Sequence, residues 1–150
     1  MSAELKRLVQ RFYDEVLNAG QLNVLGELLT PNAIYRNPAL GLPASVEETK
    51  QRLAGLRSAF PDLRYTVENI TADEDRVVVQ FVLEGTQHGE FLGIAPTGKT
   101  VRTLGMTSYR FTDGRIAEIL VLADFVTVLR QLGVLPVLPP RRPNSSPLLT

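Results

Sequence analysis

The sequence predicts an α+β domain, and three observations predict it. Apolar residues recur at helical spacing through the first part of the chain, up to Phe60. After Asp62 they alternate with polar neighbours, as half-buried strands do. Tight-turn signals then separate one apolar run from the next, so the strands follow each other directly. The grouping describes helices laid over one face of a curved antiparallel meander.

Within residues 3–19, Leu5, Leu8, Val9, Phe12, Val16 and Leu17 share one helical face, and Gly20 follows as a stop. A shorter helical run spans Asn23 to Leu29 and ends at Pro31, before a short strand at Ala33-Ile34-Tyr35 that enters a turn at Asn37-Pro38. Ser45 with Glu48 three residues on is a capping-box pattern. The helix it opens has Leu53, Leu56 and Phe60 on its apolar face, and Pro61-Asp62 closes it. Leu63, Tyr65, Val67 and Asn69 then alternate as an inward set. The Asp73-Glu74-Asp75 turn leads into the β-forming run Val77 to Leu83. After a loop containing Gly93 to Gly98, a strand runs from Val101 to Phe111. Thr112-Asp113-Gly114 turns it back into Arg115 to Asp124, and Phe125 to Leu132 is a last helix stopped by Gly133.

At 150 residues with 44% hydrophobic content, the chain is one globular domain, expected over 1–134, with a Pro- and Ser-rich disordered tail over 135–150. Sixteen basic and sixteen acidic residues give zero formal charge, which offers neither nucleic acid nor an anionic membrane a reason to bind. The absence of cysteine excludes disulfides, thiolate catalysis and Cys-type metal sites. A single histidine, His88, excludes a multi-histidine metal site. Met-Ser-Ala followed by a charged amphipathic stretch is not a signal peptide, so a cytoplasmic protein is expected.

Asp124 ends the uncharged apolar strand Ile119 to Ala123 and precedes Phe125-Val126. Two roles are open to it. Partial desolvation would raise its pKa and make it a proton carrier; alternatively, it is the N-cap of the last helix. Gln87 and His88 have opposite strand parity, so one faces inward. Tyr13, Tyr35 and Tyr109 each combine an apolar ring with a donor that packing or a cavity could use. Arg36 and Asn37 sit at a strand-to-turn junction, where Asn before Pro38 is also a turn former. Gly93 to Thr100 formally matches a phosphate-binding loop, but it lies between two antiparallel strands and Pro96 removes a donor. No Gly-x-Gly-x-x-Gly occurs, and Arg141-Arg142 is too small a basic patch for nucleic acid.

An ordered set of short motifs remains. It comprises Phe60-Pro61-Asp62-Leu63, Gly85-Thr86, Gly89-Glu90-Phe91-Leu92-Gly93-Ile94 and Pro96-Thr97-Gly98-Lys99. Tyr109-Arg110-Phe111, Asp113-Gly114-Arg115-Ile116, Glu118, Asp124 and Leu129-Arg130-Gln131-Leu132-Gly133 complete it. With them the chain resembles the SnoaL-like polyketide cyclase (ester cyclase) family from its first helix to Gly133. The resemblance implies a cone-shaped α+β barrel of the nuclear-transport-factor-2-like superfold, with N-terminal helices closing a deep apolar pocket. It also implies intramolecular aldol ring closure on a small hydrophobic polyketide-like substrate, without metal or cofactor. The family's acid/base aspartate falls on Asp124, and Tyr13, Tyr35, Asn37, Gln87 and His88 become candidates to bind substrate. Gln87 stands where the family commonly has His, with His88 one place later; Leu120 stands near a common Trp, and the loop around Asn37 lacks a usual His. The superfold also hosts epoxide-opening enzymes, hydroxylase-like relatives and non-catalytic binders. A homodimer is expected from apolar strand surface on the outer sheet face, at Val77 and Val79 or at Val78 and Val82.

Overall fold

The computed structural model describes residues 2–136. The segment expected as a tail lies, from 137 on, outside the described residues. Four α-helices and five strands follow in the order α1 (Ser2–Arg11), α2 (Leu25–Leu28), β1 (Leu29–Arg36), α3 (Val46–Ala59), β2 (Arg64–Asp73), β3 (Arg76–Thr86), β4 (Thr100–Thr112), β5 (Arg115–Ala123) and α4 (Phe125–Gln131). The strands form one open sheet in the order β1-β5-β4-β3-β2. β2 to β5 are the expected antiparallel meander, whereas β1 adds to the outer edge of β5 in parallel. The sheet is therefore mixed and does not close on itself; the helices complete the cone.

The first helix does not end where an ordinary α-helix would. Beyond Arg11 it widens into π-helical turns over Phe12–Asn18, so that the adjacent pairs Phe12-Tyr13 and Val16-Leu17 all face the core. The Ala19 N–H reaches the Asp14 carbonyl five residues back, at 3.2 Å. Long-range hydrogen bonds hold this end. Arg57 of α3 donates to the Leu17 and Asn18 carbonyls. The Asn18 amide clamps the backbone of Tyr65, accepting from its N–H at 2.7 Å and donating to its carbonyl at 2.9 Å.

Two local expectations differ from the structure. The helical run after Asn23 stops at Leu28, and Pro31 lies inside β1 rather than ending a helix. An edge strand tolerates a residue without an N–H, and the register of β1 on β5 breaks between Leu29 and Ile34. In β2 a register shift between Val67 and Asn69 reverses the parity. Asn69 is exposed, and Ile70 and Ala72 continue the inward face instead. The capping box at Ser45 and Glu48 forms as read, with bonds of 3.2 and 3.1 Å.

The inner face of the sheet carries Val77, Val79 and Phe81 from β3, Tyr109 and Phe111 from β4, and Ile119 and Val121 from β5. Gly105 pairs with Phe81 across β3 and β4, on this same face. A Cβ at Gly105 would run into the Phe81 ring, which is buried and packed against Tyr13 and Tyr65 at 6.0 and 5.3 Å. Overpacking of this kind costs about 1–3 kcal/mol. Gly105→Ala is expected to lower the unfolding free energy by that amount in urea titrations; an unchanged midpoint would show that the ring has room to move.

Candidate functional site

Between α3 and the inner face of the sheet lies a pocket enclosing about 680 Å³, open mouth included. Leu53 and Leu56 of α3, with Phe60 just past its end, form one wall, and Phe81, Leu83, Val101 and Val121 of the sheet form the opposite one. Phe91, Phe125 and Val128 approach from the loop after β3 and from α4. Apart from Tyr35 and Tyr65, the polar side chains of the lining are Asn37 and Arg52, and no carboxylate is among the described lining residues. Behind the pocket a narrower recess shares Tyr35, Tyr65, Phe81 and Val121, and adds Tyr13, Thr107 and Tyr109. All four tyrosines of the chain thus meet at its inner end.

Burial pushes every one of these phenols up. Tyr13 rises to about 12, with the Tyr109 and Thr107 hydroxyls partly offsetting the loss of solvent. Desolvation dominates at Tyr35 as well, with the nearby Asn37 side chain and the Arg52 cation opposing the rise. Tyr65 and Tyr109 are raised well above the ordinary value by burial, with neighbouring tyrosines adding to it. The phenols are neutral donors throughout the physiological range.

Asn37 is 4% exposed and does two jobs. Its carbonyl accepts from the Leu40 N–H at 2.9 Å, the turn expected before Pro38, while its side chain faces the pocket with Oδ1 buried and unpartnered. Arg52 was not singled out by the sequence. Its Nη2 donates to the Leu42 carbonyl at 2.6 Å, and its Nη1 is buried without an acceptor. The signal was present: Arg52 stands between Thr49 and Leu56 at helical spacing, on the stripe that otherwise reads as apolar.

Asp124 differs from the desolvated carboxylate that the sequence suggested. It is exposed and caps α4, with Oδ1 accepting from the Thr127 N–H at 3.1 Å and Oδ2 from the Thr127 hydroxyl at 2.5 Å. Those two bonds, first the hydroxyl, hold its pKa below the usual carboxylate value rather than above it. Stability from this cap is accordingly present above the unfolded-state pKa and lost as the pH falls through the folded one. Asp124 is not itself among the lining residues, although its chain neighbours Ala123 and Phe125 both are.

Gln87 and His88 do not enter the pocket. Gln87 is the inward member of the pair, but its amide is consumed by its own loop. It donates to the Gly89 and Ile94 carbonyls at 3.1 and 3.0 Å and accepts from the Thr97 N–H and hydroxyl at 3.1 and 2.7 Å. His88 is exposed, tied only through its backbone N–H to the Ala59 carbonyl. Arg36 and Glu118 pair at 3.7 Å, and Glu118 also meets Arg110 at 3.3 Å, away from the lining. The loop that resembles a phosphate site leads into β4, not a helix. Among the described residues no cluster of metal-ligating side chains occurs, and no helix is long and apolar enough to cross a membrane.

The profile of SnoaL-like polyketide cyclases matches residues 7–132. The chain belongs to the SnoaL-like polyketide cyclase family. Solved structures agree with this. AclR of Streptomyces galilaeus, a candidate hydroxylase, superimposes with a TM-score of 0.82 at 29% identity, over 93% of this chain and 91% of that one. A candidate SnoaL-like polyketide cyclase from Jannaschia sp. CCS1 gives 0.81 at 30% identity, covering 90% and 95%. IdmH of Streptomyces antibioticus, a candidate polyketide cyclase, gives 0.76 at 32% identity, covering 86% and 98%. A search of the curated proteins finds no match.

In this SnoaL-like chain the family motifs fall into two groups. Phe60, Leu63 and Phe91 line the pocket, whereas others hold the frame. Asp62 accepts from the Thr86 N–H and hydroxyl at 2.7 and 2.8 Å, joining the end of α3 to β3. Gln131 bonds both backbone groups of Arg102, at 2.7 and 3.0 Å, and so docks α4 on β4.

The buried phenols set the alkaline limit of the fold. Their folded pKa values are raised, so stability is intact below the ordinary value of about 10 and declines above it, where only unfolded tyrosine ionises. Alkaline titration is expected to show tyrosinate absorbance appearing together with loss of secondary structure. A gradual rise near the free value, with the fold intact, would contradict the burial.

Proposed function

We propose that this chain is a cofactor-independent cyclase that closes a ring in an apolar, polyketide-like substrate, with Asp124 as the acid/base at the pocket rim. The observation that carries the reading is a pocket walled by apolar side chains whose lining includes both neighbours of one carboxylate. A carbon between two carbonyls is acidic enough for a carboxylate to deprotonate it. The proton passes to Asp124, the resulting enolate carbon forms a bond to a second carbonyl carbon, and the alkoxide takes the proton back. Asp124 is charged at neutral pH, as a base must be. A substrate seated over Ala123 and Phe125 would strip water from the carboxylate and raise its pKa towards that of a useful base. The pocket folds the chain so that the two carbons meet, and Tyr35, Asn37 and Arg52 offer polar groups where the enolate oxygen develops charge.

A second reading, a binder without turnover, is favoured by one observation: both carboxylate oxygens of Asp124 are engaged by Thr127. Epoxide opening is less well supported, since no second carboxylate is among the described lining residues. Asparagine caps a helix as well as aspartate does, whereas alanine does not. Asp124→Asn is therefore expected to keep the fold and lose about 10²–10⁴ in rate, and Asp124→Ala to lose about 1 kcal/mol of stability as well. The assay is aldol closure of a synthetic aryl 1,3-diketone carrying a second ketone in reach. Unchanged closure by Asp124→Asn leaves binding as the function.

The same proposal includes a cytoplasmic homodimer. A cysteine-free chain needs no disulfide-forming compartment. Val77 and Val79 face inward, and of the outer pair Val82 is itself buried, so the apolar outer surface is mainly that of β4 and β5. Leu104, Met106 and Leu122 are 53%, 51% and 60% exposed, and Met106 pairs with Leu122 across the strands. Ion pairs of both signs, Arg102 with Glu84 and Arg110 with Glu118, flank them and suit a two-fold contact. Sedimentation is expected to show a dimer that Met106→Glu dissociates; a wild-type monomer at micromolar concentration would refute it.

A further inference from the structure

Most buried polar atoms in a folded protein have a partner. Among the described residues two side-chain atoms do not, Asn37 Oδ1 and Arg52 Nη1, and both belong to the lining of the same pocket. They are complementary, one an acceptor and the other a charged donor, yet they do not bond to each other. Each is also held in place by its remaining groups. Arg52 is fixed through Nη2 on the Leu42 carbonyl, and Asn37 through its backbone turn to Leu40. Asn37 is almost fully buried, and Arg52 is half-buried with its Nη1 out of solvent. No carboxylate lies within ion-pair distance of Arg52 among the described residues, although Glu48, one turn earlier on α3, feels its charge. Leaving a buried donor and acceptor unsatisfied is costly, and a ligand that satisfies both recovers that cost.

We infer that Asn37 Oδ1 and Arg52 Nη1 form a paired subsite that binds a keto–enol unit of the substrate. The carbonyl oxygen accepts from Arg52 and the enolic hydroxyl donates to Asn37. The inference rests on the apolar pocket being the substrate site and names the polar end of what occupies it. A carboxylate fits less well, because it satisfies Arg52 but turns a lone pair towards Asn37 Oδ1. An apolar ligand satisfies neither. A keto–enol unit is also what an unreduced 1,3-dicarbonyl chain presents, so the site selects substrates whose acidic carbon lies between the two oxygens it holds. Asn37 follows Arg36, which pairs with Leu120 of β5, so the subsite lies where the β1–β5 edge of the sheet faces Arg52 of α3.

The test is binding, without turnover. The probe is 1,3-dihydroxynaphthalene, in which one oxygen accepts, the other donates, and no internal hydrogen bond competes. Its controls are 1,3-dimethoxynaphthalene, which lacks the donor, and naphthalene, which lacks both groups. Calorimetric titration at neutral pH is expected to show the wild-type chain preferring the diol over the diether by at least about tenfold, the scale of one hydrogen bond to a charged group. In Arg52→Met the diol is expected to lose about tenfold while naphthalene changes less than about twofold. Equal affinity of the wild type for diol and diether overturns the subsite, and this comparison needs no variant to fold. So does an equal loss for all three ligands in Arg52→Met, which would make Arg52 a support of the Leu42 loop. If naphthalene does not bind at all, the failure is that of the apolar pocket as a substrate site. If it binds without any preference for hydroxyls, only the subsite fails.

Discussion

Tyr13 meets Tyr65 and Tyr109 edge-on, at ring distances of 5.9 and 6.3 Å, and the rest of the molecule is arranged around that junction. It joins the first helix to β2 and β4, and Phe12 adds a second edge contact to Tyr109 at 5.5 Å. Aromatic pairs of this geometry contribute about 0.5–1.5 kcal/mol beyond area burial. Their larger effect is positional. Both rings can point into the sheet only because the helix has widened at this point, and Asn18 and Arg57 then hold the widened end against β2 and α3. The rings close the inner end of the cone, so the space left open lies towards α3 and α4.

This placement separates two chemistries. At the inner end, desolvation keeps the phenols protonated and makes them neutral donors in an apolar recess. Nearer the mouth, one cation and one amide carry unmet hydrogen bonds. Asp124, next in the chain to Ala123 of the lining, is in water and caps a helix. The lining is therefore uncharged except at Arg52, and the carboxylate beside it keeps its solvent.

Gly105 and Gln87 show how residues outside the lining can shape the pocket. Gly105 leaves the room that lets the Phe81 ring lie across the sheet and line the pocket. Gln87 satisfies four backbone and side-chain groups of one loop and so fixes Phe91, whose ring packs on Phe60 at 5.2 Å and forms part of the lining. A polar side chain just past the end of a strand can thus be fully inward and still engaged entirely by its own loop. Inward parity is necessary for a pocket residue but does not suffice.

The helices, the capping box at Ser45, the hairpin at Asp113-Gly114 and the β2 to β5 meander were legible in the sequence because each depends on neighbours a few residues apart. Periodicity, capping and turn chemistry are local. Asp124 as an N-cap was legible for the same reason, since its partner Thr127 is three residues away. The parallel seat of β1 on β5, the change of parity in β2 and the passage of Pro31 through an edge strand were not. Each depends on which strand lies alongside, and that follows from closing the core. The sequence alone therefore determined the element order, the family and the list of polar residues worth examining. The tertiary structure decided which of them share a cavity. It brought Arg52 and Asn37 to one pocket, drew Gln87 into its own loop and left His88 outside, because hydrogen-bond satisfaction is settled only where distant segments meet.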